Sequence, residues 1–245
     1  MAPMIANLVF CGHERIGIEA GVKRRQWLTG CALAAGAGWS SIHRHARAAS
    51  TPPEQTARAL AQTHFLALFP LGLVAFPGEK VLLHVFEPRY RQLIRECDEL
   101  GIRFGIVTLI SGGASTVGTE MALERILRTD TSGNMDVETR GLRTFRLESF
   151  QRDVEDKLYS GGQVTYQRND PQVNEEIQGA LVGLYNRMRY HAGARELIGT
   201  PYPENLSFII GHDVGLSRAQ ELRMLGMTSE SDRQVYLFQH LLRTQ

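Results

Sequence analysis

The residues of this chain that could do chemistry are one cysteine and five histidines spread along its body. Cys97 could act as a nucleophile if a histidine lay beside it. His212 is followed by Asp213, a pairing that can polarise an imidazole for acid–base work. His64, His84, His191 and His240 are scattered. No His-Glu-x-x-His string and no Cys-x-x-Cys pair occurs, so the spacing offers no dedicated metal site. No Gly-x-x-x-x-Gly-Lys-Ser/Thr loop occurs to cradle a nucleotide phosphate. The chemistry thus reduces to a hydrolase or amidase reading on Cys97 or His212. Position argues against both. Cys97 falls on an apolar stripe with Tyr90, Leu93, Ile94 and Leu100, a place for packing. A His-Asp pair is more often a helix-end feature.

Composition places the chain among globular proteins. Of 245 residues 43% are hydrophobic, enough for a core. The charge is uneven. Residues 1–53 hold six basic and two acidic residues; taking these from totals of 27 and 26 leaves 21 and 24, a net of −3. A body of that sign lacks the positive field that grips a phosphate backbone, so no nucleic-acid partner is expected. Residues 1–49 read as a leader, either a twin-arginine-like export signal (Lys23-Arg24-Arg25, a mild apolar run, Ala46-Arg47-Ala48) or a disordered basic tail. Localisation stays open between export and the cytoplasm. No apolar run approaches the ~18 residues of a membrane span. Residues 50–61 read as a linker with two prolines. Cys11 and Cys31 lie in the leader, so no disulfide can form within the body.

The elements that would position any site follow from periodicity. Phe65–Phe69 is a short strand. Phe76-Pro77-Gly78 fits a type II turn. Val81–Phe86 is apolar on both faces apart from His84 and reads as a strand buried on two sides. Pro88 opens a helix that Gly101 stops, with Glu87 as a capping residue. Glu87, Arg89, Arg91 and Arg95 form its solvated face. Phe104–Ile110 is another buried strand, and residues 111–116 read as a loop. Residues 119–128 and 135–148 are strands around an Asp130–Asn134 turn, with a bulge at Gly141. Residues 151–156 and 162–168 read as strands around a Ser160-Gly-Gly162 turn. Residues 62–168 are therefore mostly β with one inserted helix, which favours a closed or half-closed barrel over a flat open sheet because closure removes edges. From residue 169 the pattern turns helical, with Ile177, Leu181, Leu184 and Met188 at helical spacing. Further helices are expected over 204–211 and 217–225. Ser231 and Gln234 suggest a capping box for a last helix whose apolar face is Val235, Phe238, Leu241 and Leu242.

Several stretches together resemble the N-terminal substrate-binding domain of Lon proteases: Phe69-Pro-Leu through Phe76-Pro-Gly78, Phe86-Glu-Pro-Arg-Tyr90, Phe104-Gly-Ile-Val107, Gly118-Thr-Glu120 and Arg140-Gly-Leu-Arg-Thr-Phe145. The late helix from Asp232 to Leu242 adds to them. The resemblance covers residues 62–244. It implies an α+β fold: a PUA-like β pseudo-barrel over 62–168 with one inserted helix, then a C-terminal helical subdomain over 169–245. It implies a non-enzymatic module that binds unfolded or tagged protein clients, with a separate protease or chaperone as a further partner and no cofactor. The Ser–Lys dyad of Lon proteolysis has no counterpart, since the body's two lysines, Lys80 and Lys157, lie outside any such motif. Leu71, Phe76, Phe86 and Tyr90 flank the turn and the helix start and are the expected peptide-binding residues.

Overall fold

A computed structural model describes residues 63–244. The leader and linker expectations, with Cys11 and Cys31, lie outside the described residues. Six strands come first: β1 His64–Leu71, β2 Lys80–Val85, β3 Phe104–Ile110, β4 Gly113–Thr129, β5 Met135–Gln151 and β6 Ser160–Tyr166. Helix α1, Pro88–Leu100, is inserted between β2 and β3. Four helices follow the sheet: α2 Glu175–His191, α3 Leu206–Gly211, α4 Arg218–Leu225 and α5 Glu230–Thr244.

The sheet runs β2-β5-β4-β3-β1-β6, and β6 returns to pair with β5. This gives the expected α+β architecture with ring-like closure. It is not a regular barrel, because β2 stays outside the ring. One strand, β5, makes this possible by serving three partners. Its residues 135–140 pair with β2 and its residues 145–151 with β6, while β4 runs beside it from Met135 to Arg146. The expected bulge sits at the crossover. Glu120 pairs with Arg143 and Met121 with Gly141, so Leu142 is the extra residue. The Phe76–Glu79 turn lies across this point. Gly78 donates its N–H to Gly141 O at 2.8 Å, and Gly141 donates to Glu79 O at 2.9 Å.

Three apolar clusters hold the molecule. Leu66, Leu68, Val107, Phe145 and Val164 form one. The alternate residues of β1, Ala67 and Phe69, join α1 in a second, through Tyr90, Leu93, Ile94 and Cys97. This is the period-two consequence of a strand buried on both faces. The third cluster unites α2 to α5 and includes Val74 and Phe76, the chain leading out of β1. That segment is also pinned through its carbonyls: Thr108 Oγ1 donates to Leu73 O at 2.7 Å and Thr119 Oγ1 to Ala75 O at 2.6 Å.

Some expectations are corrected. β2 alternates buried and exposed residues, with Val81, Leu83 and Val85 inward and Leu82 and His84 outward. It is an edge strand rather than one covered twice. Residues 111–116 are not all loop, since β4 begins at Gly113. Gly161 and Gly162 lie inside β6 and not in a turn. A Cβ at Gly161 would stand 2.3 Å from the Phe65 ring, and one at Gly162 2.3 Å from Ser149 O, so the strand is glycine there for lack of room. Of residues 151–156 only Gln151 belongs to a named strand, and a single Val154–Lys157 bridge follows. The capping box is Ser217 with Gln220, on α4. Helix α5 buries Glu230, Arg233, Gln234, Leu237 and Leu241, whereas Leu242 is exposed. Glu87 occupies the cap position of α1, but its carboxylate pairs with Arg89 at 2.6 Å and not with a helix N–H.

Candidate functional site

The four residues expected to bind a peptide separate by depth. Phe76 is fully buried, stacked between Phe208 (ring centroids 5.3 Å) and His212 (4.2 Å). Tyr90 is 6% exposed, with its ring 3.8 Å from that of Phe69 and Arg89 over its other face at 4.7 Å. Burial raises the Tyr90 phenol to about 12. Leu71 is half-buried at the margin of the α1 cluster. Phe86 is 42% exposed, just past the end of β2, with His84 5.9 Å away.

Strand β2, which lies between the Phe76–Glu79 turn and Phe86 in the chain, has an open edge. Among the described residues β2 pairs with β5 alone. Its register runs unbroken from Lys80 opposite Arg140 to Val85 opposite Met135. Leu82 and Phe86 stand in solvent along it, with His84 between them held by Asp136 at 2.6 Å. Among the described residues the C-terminal half of β4, residues 122–129, likewise has β5 on one side and no strand on the other. That second edge is different in kind. It carries register breaks at Leu123/Arg125 and Ile126/Arg128, and charged residues Glu124, Arg125 and Arg128. Bulges and charges are what keep an edge from accepting a new strand. The β2 edge has one lysine, no bulge and two exposed apolar side chains.

Behind this edge the sheet is locked by buried carboxylates. Glu138 accepts from Lys80 Nζ at 2.6 Å and from Arg125 Nη2 at 2.6 Å. Those bonds hold its carboxyl near 2. Glu120 accepts from Arg143 and from the Tyr166 hydroxyl at 2.6 Å. Burial would raise its carboxyl, yet the Arg143 and Tyr166 bonds outweigh burial and hold it low. Arg143 lies flat over the Tyr166 ring at 3.4 Å.

The two groups considered for catalysis are not brought together. Cys97 is 5% exposed in the α1 cluster, and burial, with Glu96 adding to it, pushes its thiol up to about 12. A thiol so placed is inert. His212 stacks on Phe76 in the helical cluster. Asp213 is not its partner; that carboxylate accepts from the Tyr185 hydroxyl at 2.6 Å. Glu221 lies 2.8 Å from His212 Nδ1 and Glu79 3.0 Å from Nε2. Burial lowers the imidazole, but the bonds to Glu221 and Glu79 prevail and raise it to about 9. With both nitrogens donating it is a structural cation and not a base. Among the described residues no cluster of His, Cys, Asp and Glu could hold a metal ion, and no helix is long and apolar enough to cross a membrane.

Sequence reasoning missed the free edge of β2, because a strand and its neighbours must be paired before an edge exists. It also missed a cleft of about 460 Å³ between sheet and helices, lined among others by Gln167, Asn169, Asn205, Phe208 and Arg233. Its amides, Gln167 and Asn169 on one segment, Gln178 on α2 and Asn205 before α3, carry no local signature.

The fold has counterparts among solved structures. The Lon N-terminal domain protein from Xanthomonas campestris is 26% identical, with a TM-score of 0.59 over 72% of this chain and 98% of that one. The N-terminal domain of the Mycobacterium avium complex Lon protease shares the fold at 16% identity, with a TM-score of 0.58 over 73% of this chain and 98% of that one. The family described as the ATP-dependent protease La (LON) substrate-binding domain matches residues 66–243, from the third residue of β1 to the last turn of α5. That span takes in the ring, the β2 edge and the helical cluster, and the chain belongs to the Lon substrate-binding domain family.

Proposed function

We propose that this chain is a non-enzymatic module that holds an extended segment of an unfolded or tagged protein as an added strand along β2. The observation that carries this reading is the contrast between two edges of one sheet. The β4 edge is bulged and carries Glu124, Arg125 and Arg128 beside the exposed Leu127, whereas the β2 edge is unbulged, presents Leu82 and Phe86 with Lys80 and His84, and has no second strand among the described residues. An added strand gains main-chain hydrogen bonds from β2, and its alternate side chains meet Leu82 and Phe86. Leu71 contributes at the margin. Phe76 and Tyr90 act from below, by fixing the turn and the helix start that frame the edge. The family's substrate-binding role supports a polypeptide as the occupant. A separate protease or chaperone is the proposed recipient of the client. Binding of this kind requires no cofactor.

The experiment is a fluorescence-anisotropy titration of a labelled, permanently unfolded protein with the full chain. Phe86→Asp and Leu82→Lys change exposed side chains, so the fold survives and circular dichroism checks it. Each variant should weaken binding at least tenfold, which is about 1.4 kcal/mol. Unchanged affinity in both variants, or no binding by the unaltered chain, would overturn the proposal.

A further inference from the structure

The cleft between sheet and helices has a polar chain built into its wall. At its inner end Arg233, 1% exposed, donates to Glu230 at 2.6 Å, to Ser207 Oγ at 2.8 Å and to Met227 O at 2.7 Å. It also donates to Asn169 Oδ1 at 2.6 Å. A guanidinium only donates, so this bond fixes which atom of the Asn169 amide is the oxygen. The Asn169 NH2 is thereby turned toward Asn205, whose Oδ1 accepts it at 3.4 Å. That in turn leaves the Asn205 NH2 as a donor with no partner among the described residues. A second unspent amide lines the same cleft. Gln167 Oε1 is sealed from water and has no hydrogen-bond partner among the described residues. An acceptor left in that state costs about 1–3 kcal/mol. A rotation of the amide, with a donor to meet it, removes that cost.

Charge selects against an acidic ligand. The two cations of the lining are already spent, Arg143 on Glu120 and Arg233 on Glu230. Glu204 is the one lining charge without an ion-pair partner among the described residues. The rest of the lining mixes apolar surface, from Tyr202, Phe208 and three prolines, with the uncharged polar side chains of Thr144, Gln178 and Thr228. The volume of about 460 Å³ lies within the range of small-ligand pockets.

We infer that this cleft is a second binding site, one that takes the uncharged carboxamide of an asparagine or glutamine side chain presented by a polypeptide, through Asn205 and Gln167. A carboxamide supplies both the acceptor for the Asn205 NH2 and the donor for Gln167 Oε1. A carboxylate supplies no donor and meets Glu204. The site stands apart from the β2 edge, so each can fail without the other.

The test is a two-dimensional NMR titration of the full chain with three probes: N-acetylglutamine N-methylamide, N-acetylglutamate N-methylamide and N-acetylleucine N-methylamide, so that only the glutamine probe carries a primary carboxamide. All carry the same backbone amides and differ only in the side chain. The glutamine probe should shift the side-chain NH2 resonances of Asn205 and Gln167 and bind at least tenfold more tightly than the other two. Asn205 already holds φ at 55°, so Asn205→Gly removes the amide while keeping the backbone. Gln167→Leu removes the sealed oxygen. Each variant should abolish the preference for glutamine, and Phe86→Asp should leave it intact. Equal binding of the three probes, no shift at millimolar glutamine probe, or a preference that persists in Asn205→Gly would overturn the inference.

Discussion

His212 joins two parts of the chain that are far apart in sequence, Glu79 beside the β2 turn and Glu221 on α4. Its imidazole is raised from 6.5 to about 9, so the folded state keeps a proton that the unfolded chain gives up earlier. The sign follows from that order. The stabilisation is complete below about pH 6.5 and disappears as pH rises through about 9. A shift of this size corresponds to at most about 3 kcal/mol, and to ~2 kcal/mol for a ring still partly in solvent. His212→Gln should therefore be less stable than the unaltered chain in urea unfolding at pH 6, and the difference should close by pH 10. A gap that stays constant to pH 10 would mean that stacking on Phe76, and not charge, is what His212 provides. Cys97 makes the complementary prediction. Buried and held near 12, it should resist iodoacetamide at pH 8 in the folded chain and react in urea, as read by peptide mapping that separates it from Cys11 and Cys31.

At the scale of elements the decisive point is where β5 changes partners. Gly141 sits there with its backbone bonded to Gly78 and Glu79, and a Cβ on it would stand 2.1 Å from Phe76 O. That oxygen belongs to a backbone pinned on both sides, so nothing cheap can move. Gly141→Ala should cost more than ~3 kcal/mol. Gly101, which ends α1 at φ 66° with nothing within 4 Å, should cost only about 1 kcal/mol when changed to Ala, because the left-handed backbone is its sole demand. Urea midpoints of the two variants test the contrast. Both glycines were legible as punctuation, one as a bulge and one as a helix stop, because their local patterns are strong. α1 was legible from its stripe and from Pro88. What stayed hidden depends on pairing across distance. Val81–Phe86 reads as a doubly buried strand because Leu82 and Phe86 are apolar, and they are exposed because no described residue covers the outer face of β2 enough to bury them. Gly161 and Gly162 read as a turn, because a Gly-Gly pair carries the same signal whether the chain must bend or a phenylalanine ring must pass. Of the four expected binding residues, position near the turn could not tell Phe86, in solvent, from Phe76, under two rings.

For the whole molecule the question is what joins the ring of strands to the helices. Phe76 does so with apolar contact, and Arg233, ion-paired within α5 to Glu230, does so by a hydrogen bond. Arg233 reaches Asn169, on the chain leaving β6, and the backbone there is tied as well, with Asp170 donating to Thr228 O at 2.7 Å and Glu230 to Asp170 O at 2.9 Å. Glu230 spends both oxygens, on Ser207 N, Ser207 Oγ, Arg233 and Gln234. Both side chains are almost without exposure. A buried pair of this kind is weak evidence for stability, since desolvation offsets much of the attraction, but removal of one partner leaves the other uncompensated. Glu230→Ala should therefore cost about 3–5 kcal/mol, a large part of the 5–15 kcal/mol that a typical domain possesses. The double change Glu230→Leu with Arg233→Met should recover only the part of that loss that an unpaired charge causes, because Ser207 N–H and the Gln234 amide still lose their buried acceptor. The double variant separates the two roles of the pair. Its urea midpoint should lie above that of Glu230→Ala, while its preference for the glutamine probe disappears, since no guanidinium remains to orient Asn169 and, through it, Asn205. Binding of unfolded protein along β2, on the far side of β5 from β4, should be unaffected. If the double variant stays as unstable as Glu230→Ala, the loss comes from the pair's hydrogen bonds and not from an unpaired charge.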